Sequence, residues 1–436
     1  MRARRRVDDH RLDPVVPLAI RLRLDDERVS LATPRRTWRV PTLILATLSI
    51  LTALLGSLGW TFHRRQVDLQ VYLMGARHLS SAHLYSLSLP GVHLPFTYPP
   101  FSTLFFWPLT LVTTGVATVL WALVNLAALV VIMAVTLLAV HPERRSTGVG
   151  VPWDLIALLV GPAVLLEPVM LDMSFGQINL VLVALILLDA TTRLSVGRRT
   201  LPRGVGIGLA AAIKLVPLIF VPFLLVTRQF RAAASALSTV LLCSLTAYVL
   251  NPSASVAFWT RYVNDQVRIG TVTYVSNQSL EGSLERATHH VWSSPAMESV
   301  QAATVVVGVA LGWWAWRTSS TLFGVLIVAG AGLMASPISW AHHMVWIVPV
   351  LLWMWWGSDR PRHARWWALG TAALFYVAPM WLVAHGPPFD AHEHGWTLLA
   401  ANSFTVATLA LLAGATVTLR ARARSARHPL GAAEPL

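Results

Sequence analysis

Asp68, Lys214, His342 and His343 are the ionisable residues that an apolar chain has least reason to keep, and together they cover base, cation and proton-carrier chemistry. Asp68 begins a stretch in which Leu69, Tyr72, Leu73, Ala76 and Leu79 fall on one helical face, so an interfacial helix is expected there. An acid at the start of such a helix can simply complement its dipole. Beside a partly dry cavity it can also act as a general base, because desolvation raises its pKa. Lys214 sits inside GIGLAAAIKLVPLIFVPFLLV. Hydrocarbon around an ammonium costs about 2.5–3.5 kcal/mol, so this lysine must meet a cavity, a partner or a headgroup. An anionic phosphate is its simplest partner, with snorkelling as the bland alternative. His342 and His343 follow Ser336-Pro337-Ile338-Ser339-Trp340-Ala341. Neighbouring helical residues point in different directions, so the pair is a poor chelate and a better proton-handling group.

Amides accompany these charges. Asp172, Gln177 and Asn179 lie within one short connection, where the amides can read sugar hydroxyls or cap and bond helices. Asn277 and Gln278 are expected to hydrogen-bond a ligand or their own loop. Asn277-Gln278-Ser279 matches a glycosylation sequon, read here as incidental. Glu281 and Glu285 are expected as surface charges, and His385, His392 and His394 as a solvated outer loop.

The elements that must position these groups are membrane helices. Of 436 residues, 55% are hydrophobic and 12% charged, against roughly 25% charged in soluble domains. Disorder, a nucleic-acid arm and an ordinary cytosolic enzyme are excluded. Basic residues outnumber acidic ones 34 to 20, and Lys214 is the lone lysine. The single cysteine, Cys243, excludes a disulfide framework and any cysteine-based metal site. A first span is expected at 40–61, with further apolar segments at 101–112, 115–140, 153–171, 177–194, 203–227, 231–250, 298–316, 320–338, 341–357, 364–384 and 396–419. The 101–112 segment is short for a span. The 203–227 segment is interrupted by Lys214, Pro217 and Pro222. Such broken helices are tolerated where they line a cavity.

Arginines at 144–145, 193–203, 228–231, 317, 360–365 and 420–427 sort to one side of this arrangement. By the positive-inside rule they are cytoplasmic, as are both termini. Residues 1–39 then form an Arg-rich cytoplasmic tail and 420–436 a second one. Between them, 40–419 reads as a single membrane domain with outer loops at about 62–100 and 251–297. The expected fold is an all-α polytopic membrane protein of about 10–13 membrane segments, some short or broken, with an outward-facing cavity. Walker, Rossmann and nucleophile-elbow signatures are absent from the sequence. An enzyme working on the outer side would therefore draw on a donor already in the membrane, such as a polyprenyl-phosphate sugar.

The segments VDLQVYLMGARHL, HLYSL, LPFTYPPFSTLFFWPL, SFGQINL, GLAAAIKLVPLIF, SNQSLEG and SPISWAHHMVW resemble, in order, the motifs of an actinobacterial glycosyltransferase family of the GT-C superfamily. Its members include polyprenol-phosphate-mannose-dependent α-1,2-mannosyltransferases acting on phosphatidylinositol mannosides, and others that act on lipoglycans or transfer arabinofuranose. The resemblance runs from about residue 66 to 350. It implies that Asp68 is the essential acid, that His342 and His343 serve the same site, and that Lys214 is the lysine of the A-I-K motif. It leaves a second acid, and with it any divalent metal, unassigned: Asp172 and Glu167 lie far along the chain.

The mechanism this implies is a single inverting displacement. Asp68, alone or through a histidine, takes the proton of an acceptor hydroxyl. Lys214 and Arg77 stabilise the departing polyprenyl phosphate. Gln177, Asn179, Asn277 and Gln278 read sugar hydroxyls, and Tyr98 or Trp340 stack on sugar faces. The partners are a polyprenyl-phosphate sugar, a glycolipid acceptor and membrane lipid, at the plasma membrane, without nucleic acid or an obligate protein partner. Three other readings stay open: an arabinofuranosyltransferase of the same superfamily, a lipid or sugar transporter, and a non-catalytic glycolipid-binding scaffold.

Overall fold

The structure, a computed structural model, describes residues 20–23, 40–63, 65–141, 150–196, 199–386 and 393–427. The expected N-terminal tail lies outside these residues apart from β1 (Ile20–Arg23). An apolar 24-residue helix, α1 (Val40–His63), comes first. Arg65 and Gln66 then both adopt left-handed backbone, with φ of 54° and 44°. This tight reversal turns the chain into α2 (Val67–Arg77), a helix where the sequence pattern places one. A small hairpin pairs β2 (Ser88–Leu89) with β3 (Leu94–Pro95). The stiff Tyr98-Pro99-Pro100 run leads into α3 (Phe101–Phe106), continued as a 3-10 turn to Leu111.

Helix α4 (Thr114–Val140) is capped by the Thr113 hydroxyl, which accepts from Val116 N. The expected 153–171 segment is two helices, α5 (Trp153–Val164) and α6 (Glu167–Phe175), bent by 75°. Next comes α7 (Asn179–Thr191), whose 13 residues reach only about 20 Å. β4 (Arg193–Val196) pairs with β1 and with β5 (Arg199–Thr200). The 203–227 segment is broken as expected. α8 (Val205–Ile213) ends at an extended Lys214, and a 3-10 turn at Val216–Ile219 leads into α9 (Phe220–Val226).

The second half contains α10 (Phe230–Leu250), α11 (Pro252–Ala257) and, in the long connection before the next helix, α12 (Leu280–Thr288). Helices α13 (Ser294–Thr318) and α14 (Thr321–Ala335) form a tight antiparallel pair. Glycine permits that approach: a Cβ at Gly324 would lie 2.8 Å from Gly312 O. A 3-10 turn at Ala341–Trp346 carries both histidines into α15 (Ile347–Trp356). The chain closes with α16 (Ala364–Val377), α17 (Gly395–Ala401) and α18 (Ser403–Arg427). Residues 420–427, expected as tail, continue this last helix.

Among the described residues, five helices (α1, α4, α10, α13 and α18) are long and apolar enough to cross a membrane, or six spans if the bent α5–α6 pair is one. Helices α1, α10, α13 and α18 turn most of their apolar surface outward, as lipid-facing helices do. Helix α4 is the enclosed one, and α7 and α14 are buried along most of their length. Three short or broken elements, α6, α7 and the α8–α9 break, therefore end inside protein rather than in lipid. Asp359 gathers three elements. It accepts from Ser319, Ser320 and Trp353 at 2.7 Å each, and Arg422 donates to its carbonyl and to Ser319.

Candidate active site

Asp68 is in the first turn of α2 and makes no cap. Instead its Oδ2 accepts from Gln177 Nε2 at 2.7 Å. Gln177 Oε1 in turn lies 2.9 Å from the Tyr72 hydroxyl and 3.3 Å from the Tyr98 hydroxyl. The two hydroxyls are 2.8 Å apart. Burial pushes the Asp68 carboxyl up to about 6, while the Gln177 hydrogen bond and the Lys214 charge hold it back. That leaves the acid half-buried and poised near neutrality, where a general base works best.

Gln177 is held by its backbone. Its carbonyl accepts from Asn125 Nδ2 at 3.1 Å, and the Gly176 carbonyl accepts from Trp121 Nε1 at 2.8 Å, both from α4. Gly176 is left-handed (φ 70°), and a Cβ there would lie 2.7 Å from Gln66 Cβ and 2.8 Å from Leu69 Cβ. Only glycine lets the end of α6 press against the start of α2.

A second branch starts from Asp172, which is fully buried on α6. Its Oδ1 accepts from Asn179 Nδ2 at 2.8 Å. Asn179 Oδ1 accepts from Lys214 Nζ at 2.9 Å. Lys214 Nζ lies 3.0 Å from His343 Nε2. An ammonium only donates, so that ring nitrogen is the acceptor, which assigns the remaining proton to Nδ1. Lys214 Nζ also sits 5.7 Å above the Tyr98 ring, which joins the two branches. Its charge acts on both Asp68 and Asp172.

The break at Lys214 explains this position. In a continuous helix the side chain would follow α8; extended backbone turns it across to α7 and the histidine turn. His342 is buried beside Phe175 and His343, with ring centroids 5.6 and 4.9 Å away. Neither of its ring nitrogens, nor Asp172 Oδ2, has a partner among the described residues. Buried polar atoms are nearly always paired, so these three mark where a substrate or water is needed. Among the described residues no three His, Cys, Asp or Glu side chains come together as a metal-holding group.

The structure thus brings together Asp68, Tyr98, Gln177, Asn179, Lys214, His342 and His343, and adds Asp172 and Tyr72. Gln177 and Asn179 point to the two acids rather than outward. Asp172 lies far from Asp68 along the chain, but its seven-residue separation from Asn179 is what the α6–α7 turn closes. Tyr72 belongs to the apolar face of α2, and its hydroxyl is the signal that singles it out.

Other expectations are corrected. Arg77 is exposed and donates to Thr114 Oγ1 at 3.3 Å, so it faces α4 and takes no part in the network around Lys214. Asn277 and Gln278 are fully buried loop anchors. Asn277 bonds Val272, Ser279, Pro337 and Ser339 backbone, and Gln278 bonds Val275, Ala401, Phe404 and Thr405 backbone. No capacity remains for a sugar, and the sequon is sealed from solvent. Trp340 pairs with Asn277 in an isolated bridge and packs 6.0 Å from Tyr274, partly exposed beside the histidine turn. Glu281 and Glu285 are buried against α12's surroundings rather than solvated. His385 and His394 are exposed as expected, and His392 lies outside the described residues.

The model of glycosyltransferase family 87 matches residues 96–337. The chain belongs to this family. A polyprenol-phosphate-mannose-dependent α-(1-2)-phosphatidylinositol mannoside mannosyltransferase of Mycolicibacterium smegmatis is 33% identical over 73% of this chain and 77% of its own. A phosphatidylinositol pentamannoside mannosyltransferase of the same organism is 30% identical over 84% of this chain and 90% of its own. A Mycobacterium tuberculosis relative with the former name is 31% identical over 84% and 89%. No solved structure matches the chain. Family 87 membership makes this protein a glycosyltransferase, so the transporter and scaffold readings fall away. Asp68 and the two histidines lie outside the matched stretch, while Lys214, Gln177, Asn179 and Asp172 lie within it.

Proposed function

We propose that the chain moves mannose from polyprenyl-phosphate mannose to a phosphatidylinositol mannoside or related lipoglycan, forming an α-1,2 bond with inversion. The observation that carries this reading is the pairing of a half-buried acid, Asp68 held by Gln177, with a single lysine, Lys214 held by Asn179. The relatives' names supply the sugar, donor and acceptor class.

Asp68 removes the acceptor hydroxyl proton as the oxygen attacks C1 of the mannosyl phosphate. Gln177 fixes the carboxylate, so its free oxygen can face the incoming hydroxyl. The C1–O bond to phosphate breaks with its electron pair, and Lys214 neutralises the dianion that departs. His343 and Asn179 orient that ammonium. The unpartnered ring nitrogens of His342 and the unpartnered Oδ2 of Asp172 can bind sugar hydroxyls or pass the proton on. The active site faces the outer side of the plasma membrane, with both chain termini in the cytoplasm, in line with the arginine distribution.

The test is transfer by the purified chain, with polyprenyl-phosphate mannose and a phosphatidylinositol mannoside, read by mass spectrometry. Wild type should add a hexose that an α-1,2-mannosidase removes, and Asp68→Asn should add none. Product only from polyprenyl-phosphate arabinose would replace the donor assignment, and equal turnover by Asp68→Asn would remove the base.

A further inference from the structure

Asn179 stands between neighbours that can each play only one part. Its Nδ2 donates to Asp172 Oδ1 at 2.8 Å and to the His342 carbonyl at 3.3 Å. Its Oδ1 accepts from Lys214 Nζ at 2.9 Å. A carboxylate and a carbonyl only accept, and an ammonium only donates. One orientation of the amide therefore matches all three neighbours. The reversed amide would set its oxygen against two acceptors and its NH2 group against a cation. Asp172, Asn179 and His342 are all buried, so bulk water is not at hand to repair that mismatch. The orientation matters to the lysine. Lys214 has extended backbone (φ −149°, ψ 126°), and its Nζ is tied by Asn179 Oδ1 and by His343 Nε2 at 3.0 Å. An ammonium carries three N–H groups, so one is left for an incoming oxygen, and its direction follows from where the other two are tied.

We infer that Asp172 is a positioning residue for Lys214: it accepts from Asn179, keeps the amide oxygen turned to the ammonium and so aims the remaining N–H at the leaving phosphate. The inference rests on the proposed place of that phosphate at Lys214. Of the two acceptors on Asn179 Nδ2, Asp172 is the stronger, because a hydrogen bond to a charged group is roughly twice as strong as a neutral one. It is also the closer. Asp172 lies beside the start of α7 as well, where the backbone N–H groups of Asn179 and Leu180 act on its carboxylate. Capping alone would serve the fold and leave the lysine untouched, which separates the two roles by experiment.

The experiment is a double-mutant cycle on the full chain in nanodiscs, with polyprenyl-phosphate mannose and a phosphatidylinositol mannoside as substrates. Asp172→Asn offers a group that donates as well as accepts, so the Asn179 amide loses its bias. It should lower kcat about tenfold, the size of one net hydrogen bond, with the acceptor KM and the thermal midpoint near wild type. In an Asn179→Ala background the same change should cost no more than about twofold, because the relay is already cut. A loss of equal size in both backgrounds would overturn the inference. So would a lowered midpoint with the kcat of the folded fraction unchanged. Where Asp172→Asn does not fold, Asp172→Ser, which also donates and accepts, reads the same cycle.

A second readout needs no turnover. Lys214 is the lone lysine, so lysine labelled with nitrogen-15 at Nζ gives a single side-chain signal. Asp172→Asn should displace that signal, and most of the displacement should vanish in the Asn179→Ala background. An equal displacement in both backgrounds would mean that the two charges act through space, and it would overturn the relay. Wild type that transfers no sugar from any donor, in a chain that passes the lysine test, would instead remove the proposed reaction and leave the positioning of Lys214 standing.

Discussion

Two buried polar networks of this molecule are finished to different degrees. On α12, Arg286 is completely buried, yet its guanidinium donates to Thr273, Tyr274, Asn277, Ser283 and Asn402. Gln278 beside it is saturated at both ends. In the candidate site, Asp172 Oδ2 and both His342 nitrogens have no partner among the described residues. A saturated network holds shape, and an unsaturated one holds capacity for something that arrives. Both are rich in amides and charge, so only the count of unfilled bonds tells them apart.

The comparison can be broken by substitution. Asp68→Asn should lower transfer by about 10²–10⁴-fold while the thermal midpoint in detergent stays near wild type. A large fall in that midpoint would make Asp68 part of the scaffold. Lys214→Met should cost about 10²–10³-fold in kcat, since the departing phosphate loses its cation. A change in KM alone would confine the lysine to binding. Arg286→Met should do the reverse. It orphans several buried carbonyls and Asn402, and should destabilise the fold by on the order of 3 kcal/mol, with the surviving folded fraction turning over normally. Intact stability with lost turnover would merge the two networks into one.

A smaller effect sharpens the picture. Asp68 must be deprotonated to act as base, so kcat/KM should fall as pH drops through about 6. The Gln177 hydrogen bond favours the charged carboxylate. Gln177→Leu should therefore move the acid limb to higher pH, read as a shifted pH–rate profile. A limb that stays in place would assign it to another group. Smallest of all, Glu281 is pushed up to about 7 by burial and by repulsion from Glu285, against the Gln301 hydrogen bond. The folded state thus prefers it protonated, and its ionisation costs stability as pH rises through that value. Glu281→Gln should raise the thermal midpoint slightly above neutral pH and leave it unchanged in acid; no gain at high pH would show the carboxylate to be relaxed.

The sequence made some of this legible and hid the rest for a physical reason. Spans α1, α4, α10, α13 and α18 follow from hydropathy alone. The interruption at Lys214 was visible because lysine and two prolines cannot continue an apolar helix unnoticed. Asp68 was visible because its helix is amphipathic. Direction was not visible. Gln177 and Gln278 look alike in sequence, as amides at a membrane boundary, and only the packing sends one to an acid and the other to backbone. Asp172 was hidden by the bend between α5 and α6, which no local pattern announces and which folds a distant acid back beside Lys214. Arg77 stands on the same helix as Asp68, and only the packing shows that its side chain goes to Thr114.

Gly176 carries a consequence for how such a chain can change. Its missing side chain sets the spacing between the helix that bears Asp68 and the helix that bears Asp172. Substitutions elsewhere can trade one apolar residue for another and let the bundle relax. At this position the smallest addition, a single methyl, wedges the two halves of the site apart. The glycine is a spacer of zero thickness, and the separation of the two acid-bearing helices is measured from it.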